Sequence, residues 1–422
     1  MRHGQLTPPR HAAALALLAA LGCRRTPSRP APSTPPPVAL DASPGPRDAS
    51  VPVSLDAAAP RDARAPGVLG RDELAPLLGP QEPAPVGPVT LLAAGEDVVA
   101  AWSDGVGVWA RRRRGGRWAP MGRRVSDREP RGPIRLAQAP DGTPVIVWSE
   151  RGREGPTETR FSRWNGGEWA ALLGPLNAPA AGAEVTAITV AWSYGSPVVA
   201  MAVSRERPRQ TELRAVRWTG VRWELAGPPS LLAPGAGLLA LEAASCGDGS
   251  AVLGWVEVQP SGVPVLELRR WSVQTRTWQV LPRGALPLVD AETRTLALAG
   301  ASGSEFFVTY AWSGGTHPVH RWSEGAQEWL EVGSPLPAGG RAGLEVGPLL
   351  EAQGEDLWMS WRARGGRLSA ARLRRSTWEQ VTDALDAPGG SDPRVAASAA
   401  GTIYASSRGA GGAVSLVSFG VE

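Results

Sequence analysis

Short apolar segments separated by glycine turns follow one another along this chain from about residue 70. One segment ends at a turn such as Asp141-Gly142, and the next reaches Trp148 six residues after the glycine. A polar loop, a third segment and a tight turn, as at 165–167, then lead to a fourth segment. Short alternating segments with glycine turns are typical of antiparallel β-strands. Each unit therefore predicts four strands.

The fourth segment of each unit carries a tryptophan, and these tryptophans recur at intervals of 51, 54, 55, 51 and 49 residues. They are Trp118, Trp169, Trp223, Trp278, Trp329 and Trp378. A four-stranded repeat of about 50 residues has the size of one propeller blade. The pattern therefore predicts an all-β protein, with a β-propeller of four-stranded antiparallel blades over residues 70–422.

The two ends of the repeat array predict how the propeller closes. Six repeats are complete, whereas residues 392–422 supply about three strands without a final tryptophan segment. The run Glu73–Pro80 matches Glu168–Pro175, with Leu74 in the tryptophan position. We therefore expect an N-terminal strand to complete the last blade and close a seven-bladed ring, because closure removes exposed sheet edges. An open array of six blades is the alternative arrangement.

A second row of tryptophans precedes the first in the tight hairpins, at Trp164, Trp218, Trp271 and Trp322. These rings either pack between blades or form an exposed row that stacks on sugars. Repetition at equivalent positions favours packing, because a repeated core needs the same large side chain in each unit. The arginine before each of these rings is expected to stack on a neighbouring ring. These arginines are Arg163, Arg217, Arg270 and Arg321.

The N-terminus predicts export. Residues 1–22 form a signal peptide, with Arg2 and Arg10 beside the ten-residue apolar run Ala12–Leu21, which is too short to span a bilayer. Residues 23–69 are rich in Pro and Ala and predict a disordered tether. An exported chain whose remaining cysteine is Cys246 has no intramolecular disulfide, and we expect that thiol to be buried.

The segment Ala20-Leu21-Gly22-Cys23 resembles the lipobox of bacterial lipoproteins, although Ala20 stands where leucine is commonest. The resemblance implies a lipid anchor at Cys23, through which the protein would contact a membrane. An ordinary cleaved signal peptide is the alternative. The residue after Cys23 is arginine and not aspartate. This favours an outer-membrane lipoprotein on the periplasmic side or at the cell surface.

The repeats are similar to the β-propeller repeats of exported bacterial lipoproteins, broadly akin to kelch and WD-repeat propellers, over residues 70–422. The Gly-His…Trp-Asp signature of WD repeats and the kelch order of Gly-Gly, Tyr and Trp are not kept in this sequence. The resemblance therefore implies the architecture, and function follows from it only by analogy.

Charge and chemistry narrow the function classes. Removal of the signal segment leaves 42 basic against 40 acidic residues, a surplus too small for nucleic-acid binding. His317 and His320 lack an accompanying cluster of Cys or acidic residues, so we expect neither a metal nor another cofactor. Neither a nucleophile elbow nor a phosphate-binding loop is visible, and no catalytic residue is assigned.

The loops expected on one face of the ring, 123–132, 149–158 and 204–211, are rich in arginine. The candidate ligand-binding residues are Arg123, Arg124, Arg128, Arg151, Arg153, Arg205, Arg207 and Arg209. Arginine binds carboxylates through two parallel hydrogen bonds, so this rim suits a protein or an acidic glycan. Plain solvation of exposed loops is the alternative.

Two functions remain open from the sequence. The favoured one is a monomeric, lipid-anchored envelope protein that presents its propeller to a protein or glycan ligand without catalysis. The other is a carbohydrate-active enzyme, a glycoside hydrolase or lyase, which would need two carboxylates about 5–10 Å apart at the channel.

Overall fold

A computed structural model describes residues 68–73, 83–152, 157–172, 174–176, 183–206, 209–228, 230–284, 286, 289, 293, 295–310, 316–334, 336–337, 349–353, 356–362, 368–374, 376–385, 391–397, 402–408 and 414–421. The signal segment, Cys23 and most of the tether lie outside these residues, so the lipid anchor stays a prediction. Within the described ranges, no helix has the length and hydropathy needed to cross a membrane.

The described strands, in chain order, are β1 (Val68–Glu73), β2 (Thr90–Ala94), β3 (Asp97–Ser103), β4 (Val108–Arg114), β5 (Arg117–Pro120), β6 (Pro130–Gln138), β7 (Pro144–Arg151), β8 (Thr157–Trp164), β9 (Trp169–Ala171), β10 (Ala183–Ser193), β11 (Ser196–Glu206), β12 (Arg209–Trp218), β13 (Trp223–Leu225), β14 (Gly237–Ser245), β15 (Ala251–Val258), β16 (Pro264–Ser272), β17 (Thr277–Val280), β18 (Leu296–Gly300), β19 (Phe306–Tyr310), β20 (Thr316–His317), β21 (Val319–Ser323), β22 (Glu328–Glu331), β23 (Leu336–Pro337), β24 (Leu349–Gln353), β25 (Asp356–Arg362), β26 (Leu368–Arg374), β27 (Thr377–Leu385), β28 (Ser391–Ala397), β29 (Thr402–Arg408) and β30 (Val414–Val421).

These strands form four-stranded antiparallel sheets in the order that the repeats predict. The six complete repeats give blade 1 (β2–β5), blade 2 (β6–β9), blade 3 (β10–β13), blade 4 (β14–β17), blade 5 (β18, β19, β21, β22) and blade 6 (β24–β27). The short strands β20 and β23 pair with each other beside blade 5. The predicted class, an all-β propeller of four-stranded antiparallel blades, is confirmed.

A further four-stranded sheet has the order β1-β30-β29-β28, and we call it the closing sheet. Its outer strand comes from the N-terminal side of the array, as the match of the two chain ends predicted. The position of that strand differs from the prediction. β1 ends at Glu73, whereas the predicted run began there, and residues 74–80 lie outside the described residues.

The inner strands follow one another around a ring. Each of β2, β6, β10, β14, β18 and β24 touches the next, and β28 touches both β24 and β2. The aromatic residues at the ends of the second strands are buried in this ring, with Trp102 and Trp255 0% exposed and Trp361 2% exposed. The propeller core is therefore a series of interfaces between neighbouring blades, because a single sheet cannot cover both of its own faces.

Three of the six period-marking tryptophans connect the outer strands of neighbouring blades through a hydrogen bond. The Nε1 group of Trp278 in blade 4 donates to the Ala226 carbonyl after blade 3, at 2.6 Å. Trp329 and Trp378 repeat this contact one and two blades later, at 2.7 and 3.1 Å. The accepting segment carries Gly227 with φ +99°, where an added Cβ would lie 2.7 Å from Trp278 Cδ1. Glycine is required there by both the backbone conformation and the space.

The tryptophans of the tight hairpins pack as the repetition predicted. Trp271 and Trp278 face each other across the hairpin at 5.2 Å between ring centroids, and Trp322 and Trp329 do so at 5.1 Å. All four rings are 8% exposed or less. The packing interpretation is therefore confirmed for blades 4 and 5.

The expected stacking of the neighbouring arginines was wrong for three of the four residues in the described part of the chain. Arg163, Arg270 and Arg321 instead form ion pairs with an acidic residue at the turn between the first two strands of their blade. The arginines that do lie over rings are Arg124 on Trp109, Arg269 on Trp255 and Arg372 on Trp358. A carboxylate within reach forms a charge-assisted bond with a guanidinium, and the adjoining rings of Trp271 and Trp322 are buried against other side chains.

Cys246 and the two propeller histidines are buried groups. Cys246 is a free thiol, 5% exposed, and burial raises its pKa to about 11. His317 is also 5% exposed and lies 6.4 Å from the Trp361 ring. Burial lowers the pKa of His317 to about 4, while a hydrogen bond with the Tyr310 backbone acts in the opposite direction. His317 is therefore neutral in the folded protein at neutral pH.

We predict that the indole hydrogen bond makes the Trp278 contact more stabilising than an equally buried tryptophan without it. Trp278→Phe leaves the Ala226 carbonyl unpaired, and it should lower the free energy of unfolding by about 1–3 kcal/mol more than Trp271→Phe. Trp271 is the matched control because its buried Nε1 has no hydrogen-bond partner. Chemical denaturation of both variants measures the difference, and equal losses would contradict the prediction.

We predict that His317 makes the propeller less stable as the pH falls from about 6.5 to about 4. The unfolded chain binds a proton at His317 in this range whereas the folded protein does not, so the free energy of unfolding falls by on the order of 3 kcal/mol. His317→Gln should flatten the dependence of thermal stability on pH in this window relative to the wild type. If the melting temperatures of the wild type and of His317→Gln fall in parallel as the pH is lowered, His317 is not the cause of the loss of stability.

Candidate functional site

The predicted arginine rim is a network of ion pairs around a buried carboxylate. Arg128 lies 3.6 Å from both Glu150 and Glu158, and Arg160 contacts the same two carboxylates. Glu150 is 4% exposed, accepts a hydrogen bond from Trp148 Nε1 at 2.8 Å, and also accepts one from the Ser126 hydroxyl. Glu150 thereby ties the loop between blades 1 and 2 to strand β7.

Arg124 and Arg151 also have carboxylate partners. Arg124 pairs with Asp104 at 3.2 Å, and its guanidinium lies 4.8 Å from the centroid of the Trp109 ring. Burial opposes ionisation of Asp104, but hydrogen bonds from Trp109 and from two backbone amides, together with Arg124, hold its pKa below the usual value. Arg151 lies 3.5 Å from Glu129.

For the remaining predicted rim residues, the structure shows either the exposure alone or no side chain. Arg123 is exposed and Arg205 is half-buried. Arg153 and Arg207 lie outside the described residues, and only the backbone of Arg209 is described. Since carboxylates already neutralise Arg124, Arg128 and Arg151, the described part of the rim is not a free basic surface. Its assignment to a ligand stays a prediction.

A cavity of about 360 Å³ lies between the inner strands and is lined mainly by blades 2, 3 and 4. Arg135 of blade 2 reaches past blade 3, donates to the Ile188 carbonyl at 3.0 Å, and forms an ion pair with Glu242 of blade 4. Among the described residues that line this cavity, Glu242 is the one carboxylate. The arrangement therefore joins three blades and leaves Glu242 paired with a cation.

A groove of about 590 Å³ lies between blades 1 and 2, near their outer strands. Its polar lining comes from one residue of β4 and from the first turn and the tight hairpin of blade 2. These residues are Arg112, Asp141, Thr143, Arg163 and Asn165, and the half-buried ring of Trp164 lies beside them.

The polar side chains of this groove are held in fixed positions. Arg163 forms an ion pair with Asp141 and also contacts the Thr143 hydroxyl at 3.4 Å. Asn165 Oδ1 accepts hydrogen bonds from the amides of Gly167 and Glu168, at 3.0 and 2.8 Å, which fixes the hairpin turn. The pKa of Asp141 is lowered because hydrogen bonds from Thr143 and the charge of Arg163 outweigh the effect of burial. Asp141 is therefore an ionised acceptor at neutral pH.

The same acid, arginine and tryptophan recur in blades 4 and 5. Neighbouring structure covers the arginine and the tryptophan in blade 4, whereas in blade 5 the ring of Trp322 is buried and Arg321 stays 39% exposed. Arg270 of blade 4 bonds to Ser250 at 2.9 Å, to Asp248, and to Glu324 of blade 5 at 2.6 Å. The Arg270 side chain is 10% exposed, against 46% for Arg163. The adjoining Trp271 is 3% exposed. Of these three copies, blade 2 has the one in which both the arginine and the tryptophan ring are accessible.

Blade 3 keeps the tryptophan and loses the acid. Trp218 lies across its hairpin from Trp223 at 5.4 Å, as Trp164 does from Trp169 at 5.5 Å. The first turn of this blade carries Tyr194 before Gly195, where blade 2 has Asp141 before Gly142. Blade 3 therefore offers a ring without the ionised acceptor beside it.

Sequence reasoning missed this groove as a site. It assigned Trp164 to packing and Arg163 to ring stacking, which are the roles common to the repeat. The available signal was the Asp-Gly turn followed about 20 residues later by Arg-Trp-Asn, but the same spacing occurs in the covered copy of blade 4. Among the described residues, no group of three or more His, Cys, Asp or Glu side chains lies close enough to hold a metal ion.

No protein-family model matches this chain, and no curated protein matches it. Solved propeller structures do resemble it. The BP39L lectin from Burkholderia pseudomallei aligns with a TM-score of 0.53 and 15% identity, over 79% of this chain and 95% of the lectin. This similarity shows a shared β-propeller fold.

Two other solved structures align more weakly. The Hadza microbial sialidase Hz136 has a TM-score of 0.48 and 12% identity, over 78% of this chain and 73% of the sialidase. The SapL1 lectin, solved in complex with alpha methyl fucoside, has a TM-score of 0.46 and 15% identity, over 72% of this chain and 97% of the lectin.

Proposed function

We propose that this protein binds glycans without catalysis and that the groove between blades 1 and 2 is a binding site. The observation that carries the proposal is the uncovered set of Asp141, Arg163 and Trp164, whose counterpart in blade 4 is filled by neighbouring side chains. The same motif occurs in several blades, and its uncovered copy in blade 2 is available to a ligand. The groove volume falls in the range of small-molecule pockets.

The chemistry of the groove suits a sugar ring. A sugar presents C–H groups on one face and hydroxyl groups around its edge, so it needs an apolar surface next to fixed donors and acceptors. The Trp164 ring supplies the surface. Asp141 supplies an acceptor and Asn165 an amide donor, since its Oδ1 is already engaged. The BP39L lectin has the same fold, and we extend sugar binding from that protein to this one as part of the proposal.

The alternative of a propeller-type glycosidase or lyase receives less support. A hydrolytic pair needs two carboxylates on either side of a scissile bond. In the described part of the central cavity, Glu242 is paired with Arg135 instead of facing a second acid. The open groove offers Asp141, whose lowered pKa suits an acceptor better than a proton donor.

We further propose that the propeller is presented at the outer membrane, on the periplasmic side or at the cell surface, by a lipid on Cys23. The lipobox-like segment 20–23 and the Pro-rich run that follows it support this. An extended tether of that composition spans about 3 Å per residue, so a groove on the ring could reach glycans on the order of 100 Å from the membrane.

We predict that Trp164→Ala, which removes the ring at the groove, abolishes most glycan binding. Loss of a stacking surface worth about 1.4 kcal/mol weakens binding about tenfold. Trp218→Ala is the matched control, because it removes the equivalent half-buried ring from the blade that lacks the acid. The measurement is binding of the full chain to an array of neutral and acidic oligosaccharides, with circular dichroism to confirm that both variants fold.

Binding by the wild type and by Trp218→Ala, together with its loss in Trp164→Ala, supports the groove. Equal loss in both variants would assign the effect to propeller stability. A wild-type protein that binds no sugar on the array would overturn the proposed function.

We predict that Cys23 carries the anchor. Cys23→Ser should abolish incorporation of a labelled fatty acid and move the protein from the membrane fraction to the soluble fraction. Cys246→Ser is the control, because that thiol is buried in the propeller and should leave labelling unchanged. Labelling that persists in Cys23→Ser would show that the lipobox resemblance does not reflect lipidation.

A further inference from the structure

The groove between blades 1 and 2 carries more positive than negative charge. Arg112 of blade 1 and Arg163 of blade 2 both line it, whereas Asp141 is the one carboxylate among its described lining residues. Asp141 neutralises Arg163. Asp97 lies behind Arg112 and contacts both Arg112 and Arg114, so its single charge is shared between two guanidinium groups. One positive charge therefore remains at the wall of the groove.

Arg112 also has an unused hydrogen-bond donor. One of its terminal nitrogens contacts Asp97, while its Nε group is buried and has no partner. The side chain keeps 28% of its surface exposed, so a ligand in the groove can approach it. The exposed part of the side chain, and not the buried Nε, is what a ligand in the groove reaches, and an anion there gains a charge-assisted interaction with the guanidinium.

We propose that the groove selects a sugar that carries a carboxylate, such as a uronic or sialic acid. The sugar carboxylate accepts hydrogen bonds from Arg112, the ring packs on Trp164, and its hydroxyl groups meet Asp141 and Asn165. The inference rests on the proposed function of the same groove and adds the class of ligand. A carboxylate-bearing peptide would satisfy Arg112, but the ring of Trp164 beside two fixed polar side chains favours a sugar.

The test compares ligands that differ in the carboxylate alone. The full chain is titrated in detergent with oligogalacturonate and with its carboxyl-reduced form, and with sialyllactose and lactose, at low salt and at physiological salt. At least one acidic member should bind ten times more tightly than its neutral counterpart. The difference should narrow as salt increases, because partly exposed charges are screened.

A pair of variants separates Arg112 from its neighbour. Arg112→Gln should remove the preference for the acidic sugar and keep weak binding of the neutral one. Arg114→Gln should weaken binding of the acidic sugar less than Arg112→Gln does, because Asp97 then pairs with Arg112 alone while the Arg112 side chain still lines the groove; binding of the neutral sugar should not change. Thermal melting of both variants controls for loss of the Asp97 contact.

The outcomes are distinguishable. Neutral sugars that bind as tightly as acidic ones overturn the inference and leave the proposed function standing. Absence of binding to every sugar overturns both. Equal effects of Arg112→Gln and Arg114→Gln overturn the role of Arg112. Polyglutamate that binds as tightly as the acidic sugars, and loses binding in Arg112→Gln, overturns the choice of a sugar.

Discussion

The contact between neighbouring blades is the constraint on which the whole molecule depends. A four-stranded sheet has two apolar faces, and in this ring each face is covered by the next blade. Aliphatic and aromatic side chains together supply that cover, and Trp278, Trp329 and Trp378 add a hydrogen bond to the blade before. An array left open would expose one such face and a strand edge. The closing sheet, in which β1 pairs with β30, provides the missing neighbour.

Repetition explains how the proposed binding site can form from residues that have a structural role in other blades. Blades 2, 4 and 5 share an acid at the first turn, an arginine on the third strand and a tryptophan beside it. In blade 4 the blade that follows supplies Glu324 to Arg270, so the set is closed. In blade 2 the Arg163 side chain is 46% exposed and Arg112 stands across the groove. The proposed ligand site is thus a structural motif that the neighbouring blade leaves uncovered.

The abundance of arginine has a structural explanation as well. Most described arginines of the rim lie beside a carboxylate, and Glu150 alone is contacted by Arg128 and Arg160. Pairing of this kind lets a chain rich in arginine keep a nearly balanced charge and fix its long loops. Composition could not reveal this, because the arginines and their partners come from different strands and loops. Arg112 differs from them because it lines the groove between blades 1 and 2.

The strand order, the blade size and the presence of an N-terminal closing strand could be predicted from the sequence, because a repeated fold places glycines and tryptophans at equivalent positions of its units. Trp271 and Trp322 had the predicted packing role for the same reason. The sequence could not predict which copy of the motif is accessible, because the positions of Asp141, Arg163 and Trp164 also exist in blade 4. Exposure depends on what the next blade places against those positions, and Arg112 lies about 30 residues away from Asp141 in the chain. Only the folded ring brings that residue across the groove and leaves its charge without a full partner.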